Sequence, residues 1–258
     1  MGEILTVWSQ TKKSGKTLLL YNLAKSISKK IPDKDILVLC INMSYGNLLP
    51  LFNIGKKEFS LEIAVNYMLS EPDEPLEFKN VIANKDNLYF IGSQNTTVNY
   101  ASRNIDTYEK LLSELRDSFD LILVDACSGK NNQLTNMVIS NSEAILNVLV
   151  QDNDLLETEF STGKEIAYVI NLYRDIYPKA SDIKNKYSIK APLFEIPLCN
   201  TLQEMKNKEM LDFYEQHDTE YSQHIDELTN ILLEKLHFAI KTEPGKKAKT
   251  HKRSLFVW

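Results

Sequence analysis

The order of elements predicts an α/β fold: a mostly parallel, twisted sheet of about seven strands with helices on both faces. Two observations carry that prediction. Apolar strand candidates alternate with amphipathic helical stretches along the chain. Several of the strands are unbroken apolar runs, such as Leu121-Ile122-Leu123-Val124 and Ala144-Ile145-Leu146, and an unbroken run marks a strand buried on both faces, the signature of a parallel sheet covered by helices. Taken in order, strands are expected over 3–8, 36–42, 87–91, 120–125, 143–150, 166–171 and 193–197. Helices are expected over 16–30, 60–70, 104–117, 153–163 and 222–240. The first helix shows Leu20, Leu23, Ala24 and Ile27 on one face at 3.6 spacing. The last shows Ile225, Leu228, Leu232 and Leu236 in the same way. Segments 71–86, with Pro72 and Pro75, and 178–192, bounded by Pro178 and Pro192, read as surface excursions.

The bulk numbers fit this class. The chain has 258 residues, 43% of them hydrophobic and 25% charged, which is the balance of a soluble globular protein. No run approaches the ~18 apolar residues of a membrane-spanning helix, and the opening residues lack a signal-peptide pattern. Cys40, Cys127 and Cys199 are far apart and odd in number, so buried free thiols are expected rather than disulfides or metal ligands. His224 and His237 match no metal-ligand spacing and are expected at the surface or half-buried. The expected location is the cytoplasm. The formal charge of -5 is uneven: the tail 241–258 carries Lys241, Lys246, Lys247, Lys249, Lys252 and Arg253 against Glu243, so the body 1–240 is more acidic than the total suggests. The expected organisation is one domain over 1–240 followed by a basic, flexible tail over 241–258.

The chemistry concentrates at the first strand–helix junction. Ile4-Leu5-Thr6-Val7-Trp8 runs into Ser9-Gln10-Thr11-Lys12-Lys13-Ser14-Gly15-Lys16-Thr17, and the helix then opens with Leu18. A buried strand that breaks into Gly-Lys-Thr and then a helix is the layout of a phosphate-binding loop. Residues Thr11 to Leu18 would form the cradle, Lys16 would reach the β- and γ-phosphates, and the Thr17 hydroxyl would ligate Mg²⁺. In open parallel sheets ligands sit beyond the carboxyl ends of the strands. Three further strands end there in a polar residue: Asn42, Asp125 and Asn171.

These segments together resemble the deviant Walker A ATPases of the ParA/MinD class. The likeness runs over roughly residues 3 to 215 and is closest to the TadZ/CpaE group of pilus-assembly and localisation proteins. It rests on Val7-Trp8-Ser9-Gln10 leading to Gly15-Lys16-Thr17, on Leu37-Val38-Leu39-Cys40-Ile41-Asn42, on Phe119-Asp120-Leu121-Ile122-Leu123-Val124-Asp125, on Val169-Ile170-Asn171 and on Glu195-Ile196-Pro197. The resemblance implies a P-loop NTPase, a Rossmann-like three-layer sandwich that binds ATP and Mg²⁺ and pairs into a homodimer across the nucleotide. It assigns Mg²⁺ to Thr17, Asn42 and Asp125, adenine reading to Asn171, and base packing to Pro197 and the loop after it. Ser128-Gly129-Lys130 becomes a second switch.

The chain departs from the class pattern K-G-G-x-G-K-[ST]. Thr11 stands at the signature lysine, and Lys12 and Lys13 stand at the two glycines. Lys12 either takes over the signature lysine's catalytic role one residue along or, with Lys13, adds positive charge to the loop. Asn42 and Ser44 stand where the class carries the Asp-x-Asp carboxylates, so weak or absent hydrolysis is expected.

The expected function is an ATP-binding localisation or assembly factor with a protein partner in a pilus or secretion complex. The alternatives are a DNA-segregation ATPase, which the acidic body disfavours, and a nucleotide-free scaffold. The basic, aromatic-ended tail 246–258 could add a weak contact with a membrane or a nucleic acid.

Overall fold

The computed structural model describes residues 1–41, 48–54, 59–72, 74–93, 97–152, 161–211 and 220–240. Asn42, Ser44, residues 153–160 of the helix expected over 153–163, and the tail 241–258 lie outside the described residues.

In chain order the elements are β1 (Glu3–Trp8), α1 (Lys16–Lys30), β2 (Ile36–Cys40), α2 (Leu48–Leu51), α3 (Leu61–Ser70), α4 (Phe78–Val81), β3 (Ala83–Lys85), β4 (Leu88–Gly92), α5 (Val98–Arg103), α6 (Ile105–Ser118), β5 (Leu121–Asp125), α7 (Gln133–Asn141), β6 (Ala144–Leu149), β7 (Glu165–Tyr173), α8 (Ala180–Lys186), β8 (Leu193–Pro197), α9 (Asn200–Asn207) and α10 (Glu220–Lys235). The strands form one eight-stranded sheet in the order β3-β4-β2-β5-β1-β6-β7-β8. Every pairing is parallel except that of β3 with β4.

Alternation along each strand divides the core in two. Leu5, Val7, Val38, Leu121, Leu123, Leu146 and Val169 pack with α1 and α10 on one face. Ile4, Trp8, Leu37, Leu39, Ile122, Val124 and Ile145 pack with α3, α6 and α7 on the other. A smaller cluster of Tyr168, Ile170 and Leu193 is covered by Ala180 and Ile183 of α8. This is the expected three-layer α/β arrangement.

Four expectations need correction in detail. The sheet has an eighth strand, β3, inside the segment read as a surface excursion over 71–86. Its three residues carry no alternating pattern, and the antiparallel pairing Ala83↔Phe90 is what makes it a strand. The second segment read as an excursion, 178–192, folds into α8, anchored by buried Ala180, Ile183 and Ile189. The last helix starts at Glu220 and stops at Lys235 rather than running to 240. His237 takes φ 59, and the amide of Phe238 donates to the carbonyl of Leu233 at 2.9 Å, which is the closing pattern of a Schellman turn. His224, on the same helix, is buried at 8% exposure rather than half-buried or at the surface.

The register brings the site together. Asp125 at the end of β5 is level with Val7 of β1 and Cys40 of β2. The three central strands therefore end together where the loop into α1 begins.

Candidate functional site

The loop after β1 is built by short-range bonds. Ser9 is fully buried, and its Oγ accepts from the amide of Thr11 at 3.3 Å, an ST-type turn that lifts the chain off the sheet. Lys13 has φ 60 and Gly15 has φ 75. Gly15 is the residue immediately before α1, and its carbonyl accepts the amide of Leu19 at 3.0 Å. No acidic residue lies in the first turn of α1. The free amides of that turn and the helix dipole thus face the cleft without a built-in counter-charge.

Glycine is required at position 15 twice over. Its φ lies in the left-handed region, and a Cβ there would stand 2.5 Å from Nδ2 of Asn171. Asn171 is 4% exposed, and its Nδ2 donates to the carbonyl of Ser14 at 2.9 Å. The side chain gets there through a kink in β7. Leu172 takes φ 57, and the pairing with β8 shifts between Asn171 and Tyr173. A bulge that re-aims a side chain beside a site is a recurring device.

Lys16 is buried at 6% exposure, and its ammonium donates to the Ser128 hydroxyl at 3.2 Å. The Thr17 hydroxyl donates to Oδ2 of Asp125 at 3.0 Å. Asp125 is fully buried, and burial pushes its carboxyl up to about 6 against the pull of the Lys16 ammonium and the Thr17 hydroxyl. Its other oxygen, Oδ1, is buried without a hydrogen-bond partner, as is the Ser14 hydroxyl. Buried polar atoms are normally satisfied, so two beside one loop mark a place shaped for something polar. The segment after β5 is tied to the loop as well: the Gly129 amide donates to Ser9 O at 3.0 Å, and Trp8 Nε1 donates to Gly129 O at 3.2 Å.

A cleft of about 540 Å³ opens over this junction. Lys12, Lys13, Ser14, Gly15, Lys16, Thr17, Leu18, Asn171 and Pro197 all line it, so the structure gathers most of the residues singled out from sequence. Thr11 is absent from the lining and packs back toward Ser9. Asp125 lies behind Thr17 rather than on the cleft surface. Asn42 lies outside the described residues.

The sequence reading missed the far wall. Leu51, Leu172, Leu202, Gln203, Lys206 and Tyr221 come from α2, the β7 kink, α9 and the start of α10. The thiol of Cys199 accepts the Leu202 amide at 3.4 Å and opens α9. That capping position was the one signal available, since nothing local marks Leu172 or Tyr221. None of the three cysteines is in a disulfide; Cys40 and Cys127 are buried and Cys199 is half-buried. Among the described residues, no group of three or more His, Cys, Asp or Glu could hold a metal ion by itself. No described helix is long and apolar enough to cross a membrane.

Comparison with known proteins adds the following. No family model matches the chain. An uncharacterized ATP-binding protein of Methanocaldococcus jannaschii is 28% identical over 139 residues, 54% of this chain and 50% of that protein. The chain therefore spans about half the length of the curated relative it matches. Among solved structures, a ParA family ATPase of Chlorobium tepidum superposes with a TM-score of 0.71 at 15% identity, covering 89% of this chain and 98% of that one. An ATP complex of a McdA variant from Cyanothece gives 0.70 at 14% identity, covering 94% and 99%. The septum site-determining protein MinD of Pyrococcus horikoshii, complexed with Mg-ADP, gives 0.67 at 14% identity, covering 90% and 96%. At these identities the likeness shows the architecture: the chain has the mostly parallel three-layer α/β fold of the ParA and MinD ATPases.

Proposed function

We propose that the cleft binds ATP with Mg²⁺ and that the protein works as a ParA/MinD-like localisation or assembly factor that hydrolyses ATP slowly or not at all. One observation carries the nucleotide. Gly15 in the left-handed region, the buried Lys16 ammonium and the Thr17–Asp125 pair converge on one cleft, beside two buried polar atoms that lack partners. The loop amides and Lys16 would hold the phosphates, and Leu172, Pro197, Leu202 and Tyr221 offer apolar surface for a base.

The donor set fits a hydrated Mg²⁺ held by Thr17 and Asp125, since Oδ1 of Asp125 is free to accept from a metal-bound water. The metal would supply charge neutralisation at the β- and γ-phosphates. Weak hydrolysis is supported by the lining itself. Among the described residues that form the cleft there is no carboxylate and no histidine, so the lining lacks the commonest general bases for an attacking water.

The finer parts of the reading rest on the sequence resemblance. They are a homodimer across the nucleotide, recruitment of a protein partner of the pilus or secretion type, and a weak membrane or nucleic-acid contact through 246–258. Calorimetric titration with ATP and Mg²⁺ tests the core of the proposal, with micromolar affinity expected. Absence of heat together with absence of any thermal stabilisation would leave a nucleotide-free scaffold. Turnover measured on the Asn42→Asp, Ser44→Asp double variant tests the second part. At least about a tenfold rise over the parent is expected if the missing carboxylates limit hydrolysis.

A further inference from the structure

The charge of the cleft is lopsided. Lys12, Lys13, Lys16 and Lys206 line it, and among the described residues no acidic side chain does. The ammonium of Lys16 donates to the neutral Ser128 hydroxyl and also attracts the buried Asp125 carboxyl. Lys12, Lys13 and Lys206 form no ion pair or side-chain hydrogen bond among the described residues. Asp125 accepts from the Thr17 hydroxyl and is not part of the cleft lining. Elsewhere the chain pairs its surface lysines readily, as in Lys34–Asp120 and Lys79–Asp35.

Position 13 adds a second observation. Lys13 takes φ 60, a backbone state that glycine occupies without strain and a lysine occupies at a cost. The site thus keeps a cation where the local conformation favours a residue with none.

Positive charge beside a phosphate has two opposite effects. It attracts the triphosphate, and it repels a dication that binds the same oxygens. We infer that Lys12 and Lys13 neutralise the phosphates in place of most of the metal's contribution, so that ATP binds nearly as well without Mg²⁺ as with it. The inference rests on the nucleotide reading above and concerns how the same site balances charge.

The experiment is calorimetric titration of the full chain with ATP at low salt, once with Mg²⁺ and once with EDTA. It is run on the parent and on a Lys12→Ala, Lys13→Gly double variant. Glycine accepts the left-handed conformation at 13, so the variant is expected to fold, and its melting temperature without nucleotide checks this.

For the parent, removal of Mg²⁺ should weaken binding by less than about threefold. Each exposed ammonium within contact of a phosphate is worth about fivefold, so the variant in EDTA should bind roughly 25-fold more weakly than the parent. With Mg²⁺ present the phosphate charge is already reduced, and the variant should stay within about fivefold of the parent.

A parent that itself loses roughly 25-fold in EDTA while binding well in Mg²⁺ overturns the inference and leaves the nucleotide reading intact. A variant that loses the same factor in both buffers overturns it equally, because the lysines then do not stand in for the metal. A parent that binds ATP in neither buffer removes the nucleotide reading first, and the inference with it.

Discussion

The two ends of the sheet treat charge in opposite ways. At the amino ends of the strands several charged groups pair with one another. Asp120, just before β5, accepts from Lys34 at 2.8 Å and from the Asp35 amide at 2.9 Å. Lys79 reaches Asp35 at 2.5 Å, and Arg116 reaches Glu143 at 2.5 Å. A Glu143 oxygen also accepts the amide of Ile4 at 2.8 Å. At the carboxyl ends several such groups keep unused hydrogen-bonding capacity. Lys16 is buried against a hydroxyl, Asp125 is buried with one oxygen unpaired, and Ser14 Oγ has no partner. The backbone there is also strained at Lys13 and Leu172. The contrast separates the two ends: polar groups at one end pair with one another, and those at the other keep unused hydrogen-bonding capacity and strained backbone.

The largest way to break this comparison is Lys16→Ala. If the ammonium is reserved for phosphate, ATP affinity should fall by about 100-fold, the upper range for a charged hydrogen bond. The melting temperature without nucleotide should hardly move. Equal thermal stabilisation of both proteins by Mg-ATP would refute the assignment.

Asp125→Asn sharpens it next. The carboxyl sits near 6 in the folded protein against about 3.9 in an unfolded chain. A raised folded value means that its contribution to stability is full below about 4 and is lost as the pH rises through 6. Denaturant unfolding in EDTA without nucleotide should therefore show the asparagine variant more stable by about 2 kcal/mol at neutral pH, the advantage vanishing near pH 4. An advantage that is the same at both pH values would mean that burial of the charge is not its cause.

Gly15→Ala and Lys13→Gly form a pair within one loop. The first places a Cβ against Asn171 at φ 75 and should cost about 2 kcal/mol of stability and much of the nucleotide affinity. The second removes a left-handed lysine and should gain about 0.5 kcal/mol after the added freedom of the unfolded glycine is counted. Opposite signs in a thermal melt would confirm the loop's backbone; matching signs would contradict it.

The smallest effect belongs to the paired end. Burial pushes the Asp120 carboxyl up, but the Lys34 ammonium, the Asp35 amide and Lys79 outweigh it and hold the group below the usual range. That stability is present above about 4 and is lost as the pH falls through the lowered folded value. Because the side chain is 36% exposed, solvent screening limits it to under ~1 kcal/mol. Asp120→Asn should lower stability by that amount at neutral pH, by nothing in strong acid, and should leave ATP affinity unchanged. A loss of affinity would mean that the two ends are coupled.

Long periodic elements were legible because each one carries its own burial pattern. The run Leu193-Phe194-Glu195-Ile196-Pro197 and the first helix, 16–30, fall where the pattern places them. Short elements were not legible. Three residues in β3 or seven in α8 hold too few apolar positions to show a period, and their neighbours decide them. α7 left one local sign, Asn132, whose side chain accepts the amides of Leu134 and Thr135 at 2.9 and 3.2 Å, a cap that an Asn-Asn pair before an apolar run announces.

The candidate site divides along the same line. Gly15-Lys16-Thr17 after an apolar strand, and a polar residue closing Leu121-Ile122-Leu123-Val124, are facts of local order, and local order fixes a loop, its cation and its likeness to a phosphate cradle. That Asp125 meets Thr17, that Asn171 clamps Ser14 rather than facing the cleft with its amide nitrogen, and that Tyr221 closes the far wall depend on contacts across more than a hundred residues. Such contacts exist only once strand order and register are set, and a kink such as that at Leu172 appears only in the finished sheet. Sequence therefore determined which chemistry the chain carries, while packing between distant strands decided which of those groups are satisfied and which are left to bind.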